Sequence, residues 1–256
     1  MTKLSVIVVT KNEAHNIVDC IQSVQFADEI IIFDSGSTDG TPDICRQFTP
    51  HVVVTADWPG DGPQKNRALE IATGEWVLCL DADERLTPEL AKEIQATVLN
   101  AQENAFSIPY RSTYCGRLIR FGDWRGEEHT RLFKRNKAKF TEDIVHCHLK
   151  VEGSIGKLKE YIIHHPFHHM GALLHKMNDY STQSAKNHFN RGKKATLWTA
   201  LSHSIWSFFR GYFLKMGFLD GREGFLLAVS NAEGTYYRYL KLMYLWEASL
   251  KQQRNA

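Results

Sequence analysis

Four nearly uninterrupted apolar runs fill the first third of the chain: LSVIVV at 4–9, EIIIF at 29–33, HVVVT at 51–55 and WVLCL at 76–80. Runs that do not alternate apolar with polar residues belong to strands covered on both faces. Helical spacing separates them. Residues 13–25 put Ile17, Ile21 and Val24 on one face, PDICRQF (42–48) opens at a proline, and residues 63–72 carry a third helical pattern. Such alternation over residues 1–110 predicts an α/β fold, a parallel sheet with helices on both sides.

Sheets of this kind bind ligands outside the carboxyl ends of their strands. That rule gathers polar residues that are far apart in sequence. Thr10, Asn12 and Glu13 follow the first run, Asp34 and the loop SGSTDGT follow the second, and Asp81, Asp83 and Glu84 follow the fourth. In the turn Asp81-Ala82-Asp83 two carboxylates can share a hard divalent cation, which takes oxygen ligands and leaves places for phosphate. A solvated turn has the same composition, but the acids at neighbouring strand ends favour a site. Asp34 can accept hydrogen bonds from a nucleobase or a ribose, whereas Ser37 to Gly40 read as turn chemistry and Thr41 as a helix cap. Lys65 and Arg67, early in a helix, make a reasonable cradle for a diphosphate. Thr87-Pro88 marks another helix start.

Charge divides the chain. Residues 1–110 hold 7 Lys+Arg against 17 Asp+Glu, and residues 111–256 hold 24 against 12. An anionic partner or membrane surface is attracted to the second half. That half has no recognised nucleic-acid module, so a nucleic-acid partner is not expected. The five cysteines are scattered without a CxxC pair, as expected of reduced thiols in the cytoplasm. No signal peptide is expected, because LSVIVV is short and runs straight into TKNE.

SVIVVTKNE, EIIIFDSGSTDGT and QKNRALEIATGEWVLCLDADE, in this order and spacing, resemble the family-2 glycosyltransferases. The resemblance implies a GT-A (Rossmann-like) nucleotide-diphospho-sugar transferase fold. It also implies roles: Asp34 on the uracil–ribose, Thr10, Asn12 and Glu13 lining the nucleoside pocket, and Asp81 with Asp83 holding Mg²⁺ or Mn²⁺ on the diphosphate. RLFKRNKAKFTEDIVH (131–146), GKLKEYIIHH (156–165), KMNDYSTQSA (176–185) and YFLKMGFLDGREGF (212–225) resemble a bacterial subgroup acting on the inner core of lipopolysaccharide. That likeness implies an inverting transfer from a UDP-sugar, UDP-glucose first, to an inner-core heptose. It implies a cytoplasmic protein, peripheral at the inner membrane. His164 matches a histidine of the subgroup and is expected as a metal ligand. Where the subgroup has V-H-E this chain has Val145-His146-Cys147, so a glutamate cannot act there. The general base is expected at Asp143, with Glu142 and Glu128 (and its neighbour Glu127) as further candidates. The rival readings are a same-fold transferase for capsule or another glycan, and a catalytically silent sugar-nucleotide-binding scaffold.

Three parts are expected: residues 1–110 for the nucleotide sugar, 111–175 for the acceptor side, and a helical, aromatic-rich extension at 176–256. Within the extension, TLWTALSHSIWSFFRGYFLKMGFL (196–219) has an uncharged run at 195–209, shorter than the ~20 residues of a membrane span. It reads either as an amphipathic segment at a membrane interface or as a helix packed on the core. HHPFHHMGALLH (164–175) lacks the spacing of a zinc site.

Overall fold

A computed structural model describes residues 3–143, 147–167 and 169–255. Val145 and His146 of the V-H-C sequence, and His168 of the histidine-rich stretch, lie outside the described residues. The chain forms two compact units, Met1–Arg111 with Gly126–His164, and Ser112–Arg125 with His165–Ala256. The segment 111–175 is thus shared between them.

Along the chain the order is β1 (Leu4–Thr10), α1 (Ile17–Ser23), β2 (Glu29–Asp34), α2 (Thr41–Cys45), β3 (Val52–Val54), α3 (Asp61–Ile71), β4 (Trp76–Asp81), β5 (Glu84–Leu86), α4 (Pro88–Asn100) and β6 (Ala105–Tyr114). After β7 (Arg117–Leu118) come β8 (Glu128–Lys134), β9 (Ala138–Phe140), β10 (Leu149–Val151), β11 (Ile155–Lys157) and β12 (Ile162–His164). The main sheet runs β3-β2-β1-β4-β8-β6-β12-β5. Its first four strands are parallel, as the alternating pattern requires. β8 pairs antiparallel with both β4 and β6, which the repeated runs of the first third do not foretell, and β11 lies parallel to β6.

Both faces of the parallel part are covered. Val6 and Val8 of β1 and Leu78 and Leu80 of β4 pack with Ile17, Ile21, Leu90 and Ile94 of α1 and α4. The intervening Ile7, Val9, Val77 and Cys79 pack on the other face with Ala68 and Leu69 of α3. This two-sided burial is why the runs lack polar alternation. Thr87 caps α4 by accepting from the Leu90 N–H, with Pro88 at the first helical position.

The second unit is built on α5 (Met170–Asn190), α6 (Leu197–Phe209) and α7 (Gly221–Asn255). Tyr114, Ile119, Phe167, Leu173 and Leu227 form its buried cluster. No described helix is long and apolar enough to cross a membrane.

Candidate active site

The register of the parallel strands sets Thr10 beside Asp34, and Val9 beside Asp81. The carboxyl ends of β2, β1 and β4 therefore bring Asp34, Thr10 and Asp81 to one edge, as the strand-end rule requires. Two loops there are stitched together. Asn12, in the left-handed region at φ 56°, accepts from the Thr38 N–H at 2.8 Å, and its own N–H donates to Ser37 Oγ at 2.7 Å. The Glu13 N–H donates to Thr41 Oγ1. Asp34 is fully buried and accepts from the Gly36 and Ser37 N–H groups, so its first task is to fold its own loop. Thr10 Oγ1 is buried with no hydrogen-bond partner among the described residues, a polar atom facing this edge with capacity to spare.

A cleft of about 400 Å³ opens beside these strand ends, with Asp61, Lys65, Asp81, Tyr110, Arg131 and His164 in its walls. Asp81 accepts two cations, Lys65 Nζ at 3.1 Å and Arg131 at 2.7 Å. The same guanidinium donates to Glu84 at 2.7 Å and to the Tyr110 hydroxyl at 2.6 Å. Glu84 closes the turn by accepting from the Asp81 N–H at 3.0 Å. Lys65 also reaches Asp61 at 3.1 Å, and Asp61 accepts from the Cys147 thiol at 3.0 Å. Close approach of α3 to the segment after β9 depends on glycine. A Cβ on Gly62 would lie 1.7 Å from the Thr141 carbonyl oxygen.

Burial alone would raise the Asp81 carboxyl, but Arg131 and Lys65 overcome it and hold the group well below the usual carboxylate range. Glu84 goes the other way: burial raises it, Asp81 and Asp83 add to the rise, and Arg131 offsets only part. A carboxyl raised in the fold binds more protons folded than unfolded, so stability falls as pH climbs from about 4.3 toward the raised value and is flat above it. Glu84→Gln should remove that component. The wild-type melting temperature minus that of Glu84→Gln is expected to decline between pH 4.5 and 8, and a difference independent of pH would refute the assignment.

The remaining expected residues separate. Lys65 faces the cleft, but Arg67 does not: it pairs with Asp57 at 2.8 Å on the surface. Residues two apart on a helix point to different sides, so α3 cannot offer both to one diphosphate. Glu128 lines the cleft and is paired with Lys157; Glu127 also lines it and accepts from His129 at 3.0 Å. Asp143 accepts from Thr141 Oγ1 at 2.6 Å, and Glu142 accepts from Asn66 at 3.3 Å. Both follow the cleft residue Phe140 without lining the cleft themselves. Arg131 and Tyr110 are the residues that sequence reasoning left out. The one signal for them was the need of clustered carboxylates for a cation.

One corner of this edge has the spacing of two ligands to a divalent ion. Asp83 Oδ2 and His164 Nε2 lie 3.2 Å apart, with 20% and 26% of the two side chains exposed, so both are reachable. Two adjacent donors on an octahedral ion at about 2.1 Å stand roughly 3.0 Å from each other, which this pair fits. Asp81 is differently placed from the expectation that it and Asp83 grip one ion, because Lys65 and Arg131 occupy its two oxygens. Among the described residues no three His, Cys, Asp or Glu converge on a metal position.

A parallel sheet with acids at its strand ends, continued by an antiparallel β8 beside a cleft holding buried cations, is the arrangement of the GT-A fold. Residues 5–151 match the model of glycosyl transferase family 2, and the chain belongs to that family. An uncharacterized glycosyltransferase of Rickettsia felis is 32% identical over 99% of this chain and 93% of its own length. The lipopolysaccharide core biosynthesis glycosyltransferase LpsC of Rhizobium meliloti is 29% identical over 90% of this chain and 87% of its own. The fold is shared with S. aureus TarS 1-349, solved in complex with UDP, at a TM-score of 0.50 and 18% identity over 96% of this chain and 92% of that one.

Proposed function

We propose that this transferase moves a hexose, glucose first, from a UDP-sugar to an inner-core sugar of lipopolysaccharide, a heptose, at the cytoplasmic face of the inner membrane. The observation that carries the donor half is the pairing of Asp83 with His164 beside a cleft in which Asp81 is fixed by two cations. Asp83 and His164 are the residues that would hold Mg²⁺ or Mn²⁺, which when bound supplies neutralisation of the charge that develops on the leaving diphosphate. Lys65 places a second positive charge in the same wall. Asp81, kept ionised by Arg131 and Lys65, is an acceptor for donor hydroxyls, and Thr10 Oγ1 with Asn12, Glu13 and Asp34 frames the nucleoside side. The acceptor half is supported by the likeness to LpsC over most of both chains.

An inverting displacement needs a carboxylate to take the proton of the acceptor hydroxyl. Asp143 is the first assignment. Glu128 is the second reading, favoured by its place in the cleft lining. A positioned base contributes about 10²–10⁴-fold. Of Asp143→Asn and Glu128→Gln, the variant that loses kcat by that factor while binding UDP-sugar normally identifies it; if both retain wild-type kcat, neither is the base. The donor is tested by thermal shift against a panel of sugar nucleotides with and without Mn²⁺. At a hundredfold excess over Kd a ligand adds about 2.7 kcal/mol, so a rise of roughly 5–10 °C is expected for UDP-glucose. No rise with any UDP-sugar and Mn²⁺ would overturn the reading.

A further inference from the structure

The second unit wears one of its helices inside out. α6 turns its small residues toward α7: Ala200 and Ser207 are buried, Ser204 Oγ donates to the Ala232 carbonyl at 2.8 Å, and Thr235 lies against Ser207. Of its large residues Phe208 meets Phe225 of α7, with 5.7 Å between ring centroids, whereas Trp198, Ile205 and Trp206 face outward, 80%, 68% and 52% exposed. A helix of a water-soluble domain does the reverse, because burial of large apolar side chains is what holds it in place. Small-residue packing with large residues outside is how helices associate in an apolar surrounding. The exposed surface continues past the helix through Phe213 and Leu214. Large apolar side chains left exposed together along one helix mark an interaction site.

Charge identifies the occupant. Residues 180–219 contain six Lys and Arg and no Asp or Glu. Arg191, Lys193 and Lys194 stand immediately before α6, all exposed, and none forms an ion pair among the described residues. Arg210 and Lys215 at the other end are held by Asp123. A second copy of the chain, docked face to face about a twofold axis, would lay such a cationic run against its own equivalent whenever the axis passes near it. An anionic lipid surface meets the apolar face and the cations together. α6 has 13 residues and is about 20 Å long, too short for the ~30 Å hydrocarbon layer, so it lies in the plane of the interface.

We propose that α6 and the turn after it form a monotopic docking surface for anionic bilayers, with Trp198, Ile205 and Trp206 entering the acyl boundary and Arg191, Lys193 and Lys194 engaging phosphate headgroups. This deepens the reading of a lipid-attached acceptor, yet rests on observations separate from the nucleotide cleft.

Flotation of the full chain with vesicles of phosphatidylglycerol and phosphatidylethanolamine, against vesicles of phosphatidylcholine alone, tests it. Binding to the anionic vesicles is expected, weakened by salt and much lower on the neutral ones. Lys193→Glu with Lys194→Glu should lower the anionic partition about 10-fold or more. Trp198→Ser, Ile205→Ser and Trp206→Ser together should lower it at least about 100-fold. All variants should keep the wild-type thermal shift with UDP-glucose and Mn²⁺, so loss of docking is told apart from failure of the donor reading. Absence of wild-type flotation at low salt overturns the proposal. So does a wild-type dimer by light scattering that the triple variant converts to monomer with vesicle binding unchanged.

Discussion

Arg131→Met is expected to destabilise the first unit by about 3–5 kcal/mol, the cost of stranding a buried charge by removing its partner. The guanidinium is only 11% exposed and is shared by Asp81 and Glu84, and Glu84 is 3% exposed. Without it two carboxylates, adjoining Asp83 as well, face one another across a single turn with Lys65 alone to compensate. For a chain of this size the loss corresponds to a fall of roughly 6–20 °C in melting temperature. Arg131→Lys should recover part of it, since an ammonium supplies the charge but not the planar fork that reaches two acids and a phenol. The cause is isolated by adding Asp81→Asn and Glu84→Gln to Arg131→Met. With the acids neutralised, most of the lost stability should return, because paired charges and well-packed neutral groups differ little in net stability. A melting temperature within 2 °C of wild type for Arg131→Met alone would show that the network does not hold the strand ends.

The order of elements up to β4 was legible because a strand covered on both faces leaves an unmistakable run, and β1, β2 and β4 are such strands. Their edge was legible too. A parallel register needs no more than the strand ends to set Thr10, Asp34 and Asp81 side by side. Arg131 was not legible. It arrives from β8, fifty positions after Asp81, and reaches the acids because β8 pairs antiparallel with β4. Pairing between distant strands leaves no local periodicity. Arg67 misled for the opposite reason: it is near Lys65 in sequence, yet helical geometry turns it away to Asp57. The extension at 176–256 showed its aromatic content in the sequence, but not that α6 puts the small residues inside, since spacing alone does not say which face of a helix meets its neighbour.

Asp83→Ala is expected to abolish the Mn²⁺-dependent part of the UDP thermal shift and to lower transfer by at least about 10²–10³-fold, the usual consequence of removing one group aimed at developing charge. The pair it forms with His164 admits a simpler description, a partly exposed ion pair, and the two descriptions separate cleanly. An exposed pair is worth at most about 1 kcal/mol. On the simple description Asp83→Ala shifts the unliganded melting temperature slightly and leaves the difference between UDP with and without Mn²⁺ intact. On the ligand description the unliganded protein is nearly unchanged, while that difference collapses. His164→Ala should give the same signature in weaker form, because a hard cation draws more from a carboxylate than from an imidazole. Asp81→Asn should not: it disturbs a site already held by Lys65 and Arg131, and should lower donor affinity in Mn²⁺ and in its absence alike. Equal Mn²⁺ dependence in wild type and Asp83→Ala would remove the cation from this corner of the cleft and, with it, the proposed means of activating the leaving diphosphate.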